Sequence, residues 1–186
     1  ISINTNSPSR NRGYITFGSF NNLAKLTPEV MKVWSRILCD LPHSRLILKS
    51  RQLRYNKDQY LNLFKQEGIN GDRLELHGFL PEKDDHLALY NSIDICLDPF
   101  PFNGATTTCE ALWMGVPVIT LTGDRHAGRV GASLLTSLGL TDFIAQDKGS
   151  YIKTALKMAK AEDYLQTIRQ NLRGRMLASP LCDGVS

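Results

Sequence analysis

Short apolar runs bounded by turn-forming residues alternate along this chain with longer stretches in which apolar residues recur every third or fourth position. Residues 13–19 alternate around β-formers and predict a first strand, followed by the polar loop Phe20-Asn21-Asn22-Leu23-Ala24-Lys25-Leu26. Thr27 is then a helix N-cap with Pro28 at the first helical position, and Val30, Val33, Trp34, Ile37, Leu38 and Leu41 share one face of a helix that ends near Pro42. Further strands are expected over 45–49, 73–77, 94–98 and 116–121, and further helices over 58–68, 81–93, 106–114, 150–160 and 163–177. The 116–121 segment is so apolar that both its faces must be covered, as in a central parallel strand. Strands and helices alternating at this interval predict stacked βαβ units: an α/β fold with a doubly wound parallel sheet. No internal repeat is visible, so one domain is expected over 13–186, behind a polar linker at 1–12.

Composition agrees with this and narrows the function classes. The chain has 186 residues, 42% hydrophobic, 22% charged and 8% aromatic, which fits one soluble globular domain and excludes a disordered tail, a collagen-like rod or a disulfide miniprotein. The richest apolar window, 111–121, is interrupted by Gly115 and Pro117 and falls short of the ~20 residues a membrane span needs. The chain opens on Ile1 and a polar run with no signal-peptide core, which suggests a piece of a longer protein. Its 22 basic and 18 acidic residues give a formal charge of +4, but the basic residues form no run or aromatic-interleaved motif, so nucleic acid is not expected. The excess suits a phosphorylated small molecule. The four cysteines show no C-x-x-C spacing and the four histidines no ligand pair. No metal and no cofactor is therefore expected, and a reduced, cytoplasmic setting is.

In a doubly wound sheet, ligands sit outside the carboxyl ends of the strands and phosphates at helix N-termini. Three loops fall there. The first is Asn103-Gly104-Ala105-Thr106-Thr107-Thr108-Cys109-Glu110, where small residues let backbone approach a ligand and threonines open a helix. It resembles a phosphate cradle without a Walker lysine, with Glu110 placed to accept from a ribose diol. Thr107 and Glu110 equally fit a capping box that merely finishes the helix. In the second loop Lys25 is either a cation for a leaving diphosphate or a solvated lysine ahead of a helix. In the third, Lys83 and His86 share a helical face and can meet one ligand, or form an ordinary charged first turn. Arg125-His126-Ala127-Gly128-Arg129 reaches the same crevice or is a solvated loop, and Trp34 and Trp113 are core candidates. No G-x-S-x-G elbow is present.

Read in order, Phe17-Gly18-Ser19-Phe20-Asn21-Asn22-Leu23-Ala24-Lys25, Asp98-Pro99-Phe100-Pro101, Asn103 to Leu112 and Met114-Gly115-Val116-Pro117-Val118 resemble the carboxyl-terminal catalytic region of the protein O-GlcNAc transferase family, which includes the SPINDLY proteins that use GDP-fucose. The likeness runs from Gly13 to the end and includes Ser179-Pro180-Leu181-Cys182-Asp183-Gly184. It implies an inverting, metal-independent GT-B glycosyltransferase with two Rossmann-like halves, usually behind tetratricopeptide repeats, of which this chain is the donor-binding half. It implies that Lys25 contacts the donor diphosphate and acts in catalysis, and that Asn22 is a neighbouring donor contact. Lys83 and His86 would flank the nucleotide, Thr106 and Thr107 would hold the phosphates, and Glu110 the ribose. Ala105 and Leu89 depart from the animal GlcNAc enzymes, which carry histidine and arginine there, and lean toward the SPINDLY branch. The expected partners are a nucleotide sugar, the Ser or Thr of an acceptor protein, and the missing catalytic half and repeats. The expected reaction is transfer of GlcNAc from UDP-GlcNAc, with GDP-fucose or a noncatalytic nucleotide-sugar-binding module as alternatives. The chain alone is expected to bind nucleotide weakly without turnover.

Overall fold

A computed structural model describes residues 1–183; the last three residues of the expected domain, including Gly184 of the final motif, lie outside the described residues. Six parallel strands form one sheet in the order β3-β2-β1-β4-β5-β6. They are β1 (Thr16–Ser19), β2 (Arg45–Lys49), β3 (Leu74–His77), β4 (Ile95–Leu97), β5 (Val118–Leu121) and β6 (Ile144–Ala145). Phe17 of β1 is in register with Leu46 of β2 on one side and Ile95 of β4 on the other. Every residue of β1 is buried, as its central place requires. Gly18 is small for a packing reason, because a Cβ there would lie 2.2 Å from Ile93 Cδ1.

The helices are α1 (Pro8–Arg12), α2 (Pro28–Asp40), α3 (Leu53–Gln66), α4 (Lys83–Ala88), α5 (Thr106–Trp113), α6 (Val130–Ser137), α7 (Lys148–Ala159) and α8 (Glu162–Leu177). The sequence pattern of α2 is realised directly: Thr27 Oγ1 accepts from Val30 N at 3.3 Å, and Val30, Val33, Trp34, Ile37 and Leu38 are buried. This face packs on α7, while α5 packs on α6 and α8. Trp34 belongs to the core, but Trp113 is only half-buried, with the Arg173 guanidinium 4.8 Å above its ring. No helix among the described residues is long and apolar enough to cross a membrane.

Several boundaries differ from expectation. The 1–12 segment is not a plain linker: it contains α1, and its backbone is tied to the domain. Ser7 N donates to Gln166 Oε1 at 2.8 Å, Ser9 N to Asp94 Oδ1 at 2.9 Å, and Arg169 Nε to Asn4 O at 2.8 Å. Buried Gln166 and Arg169 on α8 need polar partners, and the amino-terminal backbone provides them. The helix expected over 81–93 divides into α4 and a 3₁₀ turn, Leu89–Ser92. The helix expected from 58 starts at Leu53 and is kinked at Asn56. Two-residue β6 is too short to show a period, and it was not anticipated.

Candidate functional site

The strand order reverses direction between β1 and β4, and a doubly wound sheet opens a crevice outside the carboxyl ends of these two strands. The loops that follow β1 and β4 meet there. Asn21 Oδ1 accepts from Thr107 Oγ1 at 3.0 Å, and Lys25 Nζ donates to Asn103 O at 2.9 Å while lying 4.5 Å from the centroid of the Phe102 ring. Lys25 ends a 3₁₀ turn, Leu23–Lys25, which Asn22 caps by accepting from Ala24 N at 2.9 Å. Partial burial lowers the Lys25 pKa, and the charge of nearby Asp98 opposes that shift.

Asp98, buried just beyond β4, organises the second loop. Its Oδ1 accepts from Gly104 N at 2.7 Å and its Oδ2 from the Thr120 hydroxyl at 2.8 Å. Burial pushes its carboxyl pKa up to about 7 despite these hydrogen bonds. Asn103 completes the loop, donating from Nδ2 to Pro99 O at 3.0 Å and from its backbone N–H to Ala127 O at 2.9 Å. A side chain at Gly104 has no room: a Cβ would lie 2.5 Å from Thr107 Oγ1 and 2.9 Å from Asn21 Oδ1. Helix α5 then starts at Thr106 with no side-chain cap, because its N-cap residue is Ala105; within the first turn Thr107 Oγ1 is turned to Asn21 and Thr108 Oγ1 donates back to Gly104 O at 3.1 Å. Its first-turn N–H groups therefore present the positive end of a helix to the crevice, the arrangement that binds anions.

The Thr107 to Glu110 spacing does not make a capping box, and Glu110 turns away from the helix start. Its carboxylate does not turn back to cap α5. Oε2 instead accepts from His86 Nε2 at 2.9 Å and from the Tyr90 hydroxyl at 3.3 Å. Burial raises its pKa, but the hydrogen bonds from His86 and Tyr90 and the nearby Lys49 charge outweigh this, and the net shift is downward. Lys49 Nζ lies 2.8 Å from His86 Nδ1 on the other side of the ring, and the ring of Phe20 packs 5.7 Å from His86 and 4.3 Å from Tyr90, centroid to centroid. An open groove of about 530 Å³ adjoins this network, lined in part by Phe20, Asn22, Lys49, Tyr55 and Phe79.

Among the residues singled out from sequence, Asn22, Lys25, Thr106, Thr107, His86 and Glu110 are thus carried by the loops and helix starts that border this crevice. Lys83 stands apart: it is exposed on the first turn of α4 and has no hydrogen bond or ion pair among the described residues, whereas His86 faces inward to Glu110. Sequence reasoning assigned no site role to Asn21, Lys49, Tyr90 or Asp98. Lys49 ends β2 and Asp98 immediately follows β4, so a polar residue at a strand's carboxyl end was an available signal. Arg125 to Arg129 joins the crevice wall through the Ala127 carbonyl bonded to Asn103. No group of three or more His, Cys, Asp or Glu side chains among the described residues is placed to hold a metal ion.

The family model described as Glycosyl transferase family 41 matches residues 8–185. A probable UDP-N-acetylglucosamine--peptide N-acetylglucosaminyltransferase SPINDLY from Petunia hybrida is 44% identical over 179 residues, 95% of this chain and 19% of that protein. The chain thus spans about a fifth of the length of such relatives. Among solved structures, a mutant of the Thermobaculum terrenum O-GlcNAc transferase superposes with TM-score 0.85 at 39% identity, covering 89% of this chain and 32% of that one. The carboxyl-terminal domain of a Francisella tularensis Glycosyl Transferase Group 1 Family Protein superposes with TM-score 0.65 at 16% identity, over 95% of this chain and 93% of that one, a likeness of fold alone.

Proposed function

The chain belongs to glycosyl transferase family 41, and from that premise we propose that it is the donor-binding half of an inverting protein O-glycosyltransferase. The observation that carries this reading is the pairing of a fixed cation with an uncapped helix start: Lys25 is anchored on Asn103 O, one residue before Gly104 and three before the first residue of α5. Such a pairing suits a diphosphate leaving group. In the proposed reaction a Ser or Thr hydroxyl of an acceptor protein attacks the anomeric carbon of the nucleotide sugar. The bond from that carbon to the diphosphate oxygen breaks with inversion, and the hydroxyl proton passes to a base supplied by another part of the protein. Lys25 and the N–H groups of Thr106 and Thr107 stabilise the charge that grows on the departing diphosphate, with no metal required. Asn22 borders the donor, Lys83 and His86 flank the nucleoside, and Glu110 accepts from its ribose.

The donor we propose is UDP-GlcNAc, the nucleotide sugar named for the Petunia hybrida relative. GDP-fucose is the second reading, favoured by Ala105 and Leu89, which depart from the animal GlcNAc enzymes. The rest of the acceptor site belongs to a further catalytic half and repeats. In the full-length protein, Lys25→Ala is expected to lower transfer a few hundredfold, about 3 kcal/mol of transition-state stabilisation, with the fold intact by circular dichroism. Undiminished transfer refutes the role of Lys25. Absence of transfer by the unmodified full-length protein, with nucleotide still bound, favours a noncatalytic nucleotide-sugar-binding module. Calorimetric titration with UDP, GDP, UDP-GlcNAc and GDP-fucose decides the donor.

A further inference from the structure

We propose that Lys49 is a positioning residue of the donor site: it fixes the tautomer of His86 so that one oxygen of Glu110 is satisfied and the other is kept for the ligand. The inference rests on the donor-binding reading above. Lys49 closes β2 and is half-buried, with Nζ 2.8 Å from His86 Nδ1. An ammonium group has three donors and no acceptor, so Nδ1 must accept and the ring proton must sit on Nε2. That proton points to Glu110 Oε2, 2.9 Å away, and the Tyr90 hydroxyl lies 3.3 Å from the same oxygen, its one proton shared between Oε2 and Thr107 O at equal distance. Both protein donors therefore converge on Oε2, while Oε1 accepts no hydrogen bond among the described residues. The Glu110 side chain remains 27% exposed, so Oε1 is available to a diol.

The groups that face His86 come from four parts of the fold: Lys49 from β2, Glu110 from α5, Tyr90 from the turn after α4, and Phe20 from the loop after β1. None of them except Lys49 donates to Nδ1. Without Lys49 the ring can carry its proton on Nδ1, which turns a bare nitrogen lone pair toward the Glu110 carboxylate. Glu110 then loses its histidine donor and the fixed geometry that presents Oε1. Lys49 also lies close enough to Glu110 for their charges to interact, so it balances the carboxylate as well as orienting its neighbour.

The test uses the full 186-residue chain labelled with ¹⁵N. Imidazole nitrogen shifts report the His86 tautomer, and shift titrations with UDP and with inorganic pyrophosphate, which lacks a ribose, report binding. The expected results are a proton on Nε2 in the wild type, and its loss in Lys49→Met together with about a tenfold weaker UDP affinity and unchanged pyrophosphate affinity. Lys49→Arg, which retains the donor, is expected to restore both. A wild-type His86 protonated on Nδ1 alone overturns the proposal without any variant, which covers the case of Lys49→Met failing to fold. An equal loss of UDP and pyrophosphate binding in Lys49→Met also overturns it, because Lys49 would then act only as a general charge. If the wild type binds neither ligand, the donor-binding reading fails, while the ring shifts still decide whether Lys49 sets the tautomer.

Discussion

Asp98 makes the stability of this domain depend on pH in a direction opposite to that of a salt-bridged carboxylate. Burial at the end of β4 raises its pKa from 3.8 to about 7, even though Gly104 N and the Thr120 hydroxyl both donate to it. Between those two values the folded chain holds a proton that the unfolded chain has released, so stability falls as pH rises through the window and levels off above it. A displacement of roughly three units, at about 1.4 kcal/mol each, sets the full loss at about 4 kcal/mol. Asp98→Asn removes the titration with little change of shape. Its amide oxygen can still accept from Gly104, and the Thr120 hydroxyl can rotate to accept from the amide nitrogen. Urea unfolding of both proteins from about pH 5 to about pH 8 gives the difference in stability at each pH, in which other titrating groups cancel. That difference is expected to move in favour of Asp98→Asn by about 3 kcal/mol, the part of the full loss that falls between about pH 5 and the folded pKa. Parallel stability curves would refute a buried, proton-holding Asp98.

Other substitutions separate the parts of the site. Gly104→Ala sets a Cβ 2.5 Å from Thr107 Oγ1, so pyrophosphate and UDP are both expected to bind at least about tenfold more weakly, as measured by calorimetry. Glu110→Gln is expected to weaken UDP by about tenfold and to leave pyrophosphate unchanged; equal losses for the two ligands contradict a ribose contact. Arg169→Met removes donors from Asn4 O and Ile93 O, each 2.8 Å away, and leaves Asp94 without its nearby cation. It is expected to cost about 3 kcal/mol in urea unfolding and to expose the amino-terminal segment to protease. Retention of full stability would show that this segment is not held through α8.

Much of the fold was legible because the relevant forces act over a few residues. A strand shows itself when apolar and β-branched side chains must cover both of its faces, and residues 45–49 were recognised to the residue for that reason. Helix α2 carried its own start signal in Thr27 and Pro28 and its own buried stripe. The elements that escaped notice were those with too few residues to form a period, such as β6, or those stabilised from elsewhere, such as α1. The amino-terminal run looked like a linker because its composition is polar, yet its backbone satisfies buried Gln166 and Arg169.

The chemistry divides along the same line. The sequence alone determined which residue types gather in the loops after the strands, and hence that a cation, a glycine-flanked helix start and an acidic residue one turn into that helix were present. It did not determine what each side chain does, because hydrogen-bond partners are chosen in space. That Glu110 turns away from its own helix start was set by His86, 24 residues away, and the direction of Thr107 by Asn21, 86 residues away. Asp98 found its partners Gly104 and Thr120 on its own side of the sheet, in the following loop and on β5, whereas Lys49 came near Glu110, through His86, only when the reversal of strand order between β1 and β4 brought the loops of both halves together. Periodicity encodes local burial, whereas the protonation and orientation of a buried polar group depend on whichever distant groups the tertiary fold sets against it.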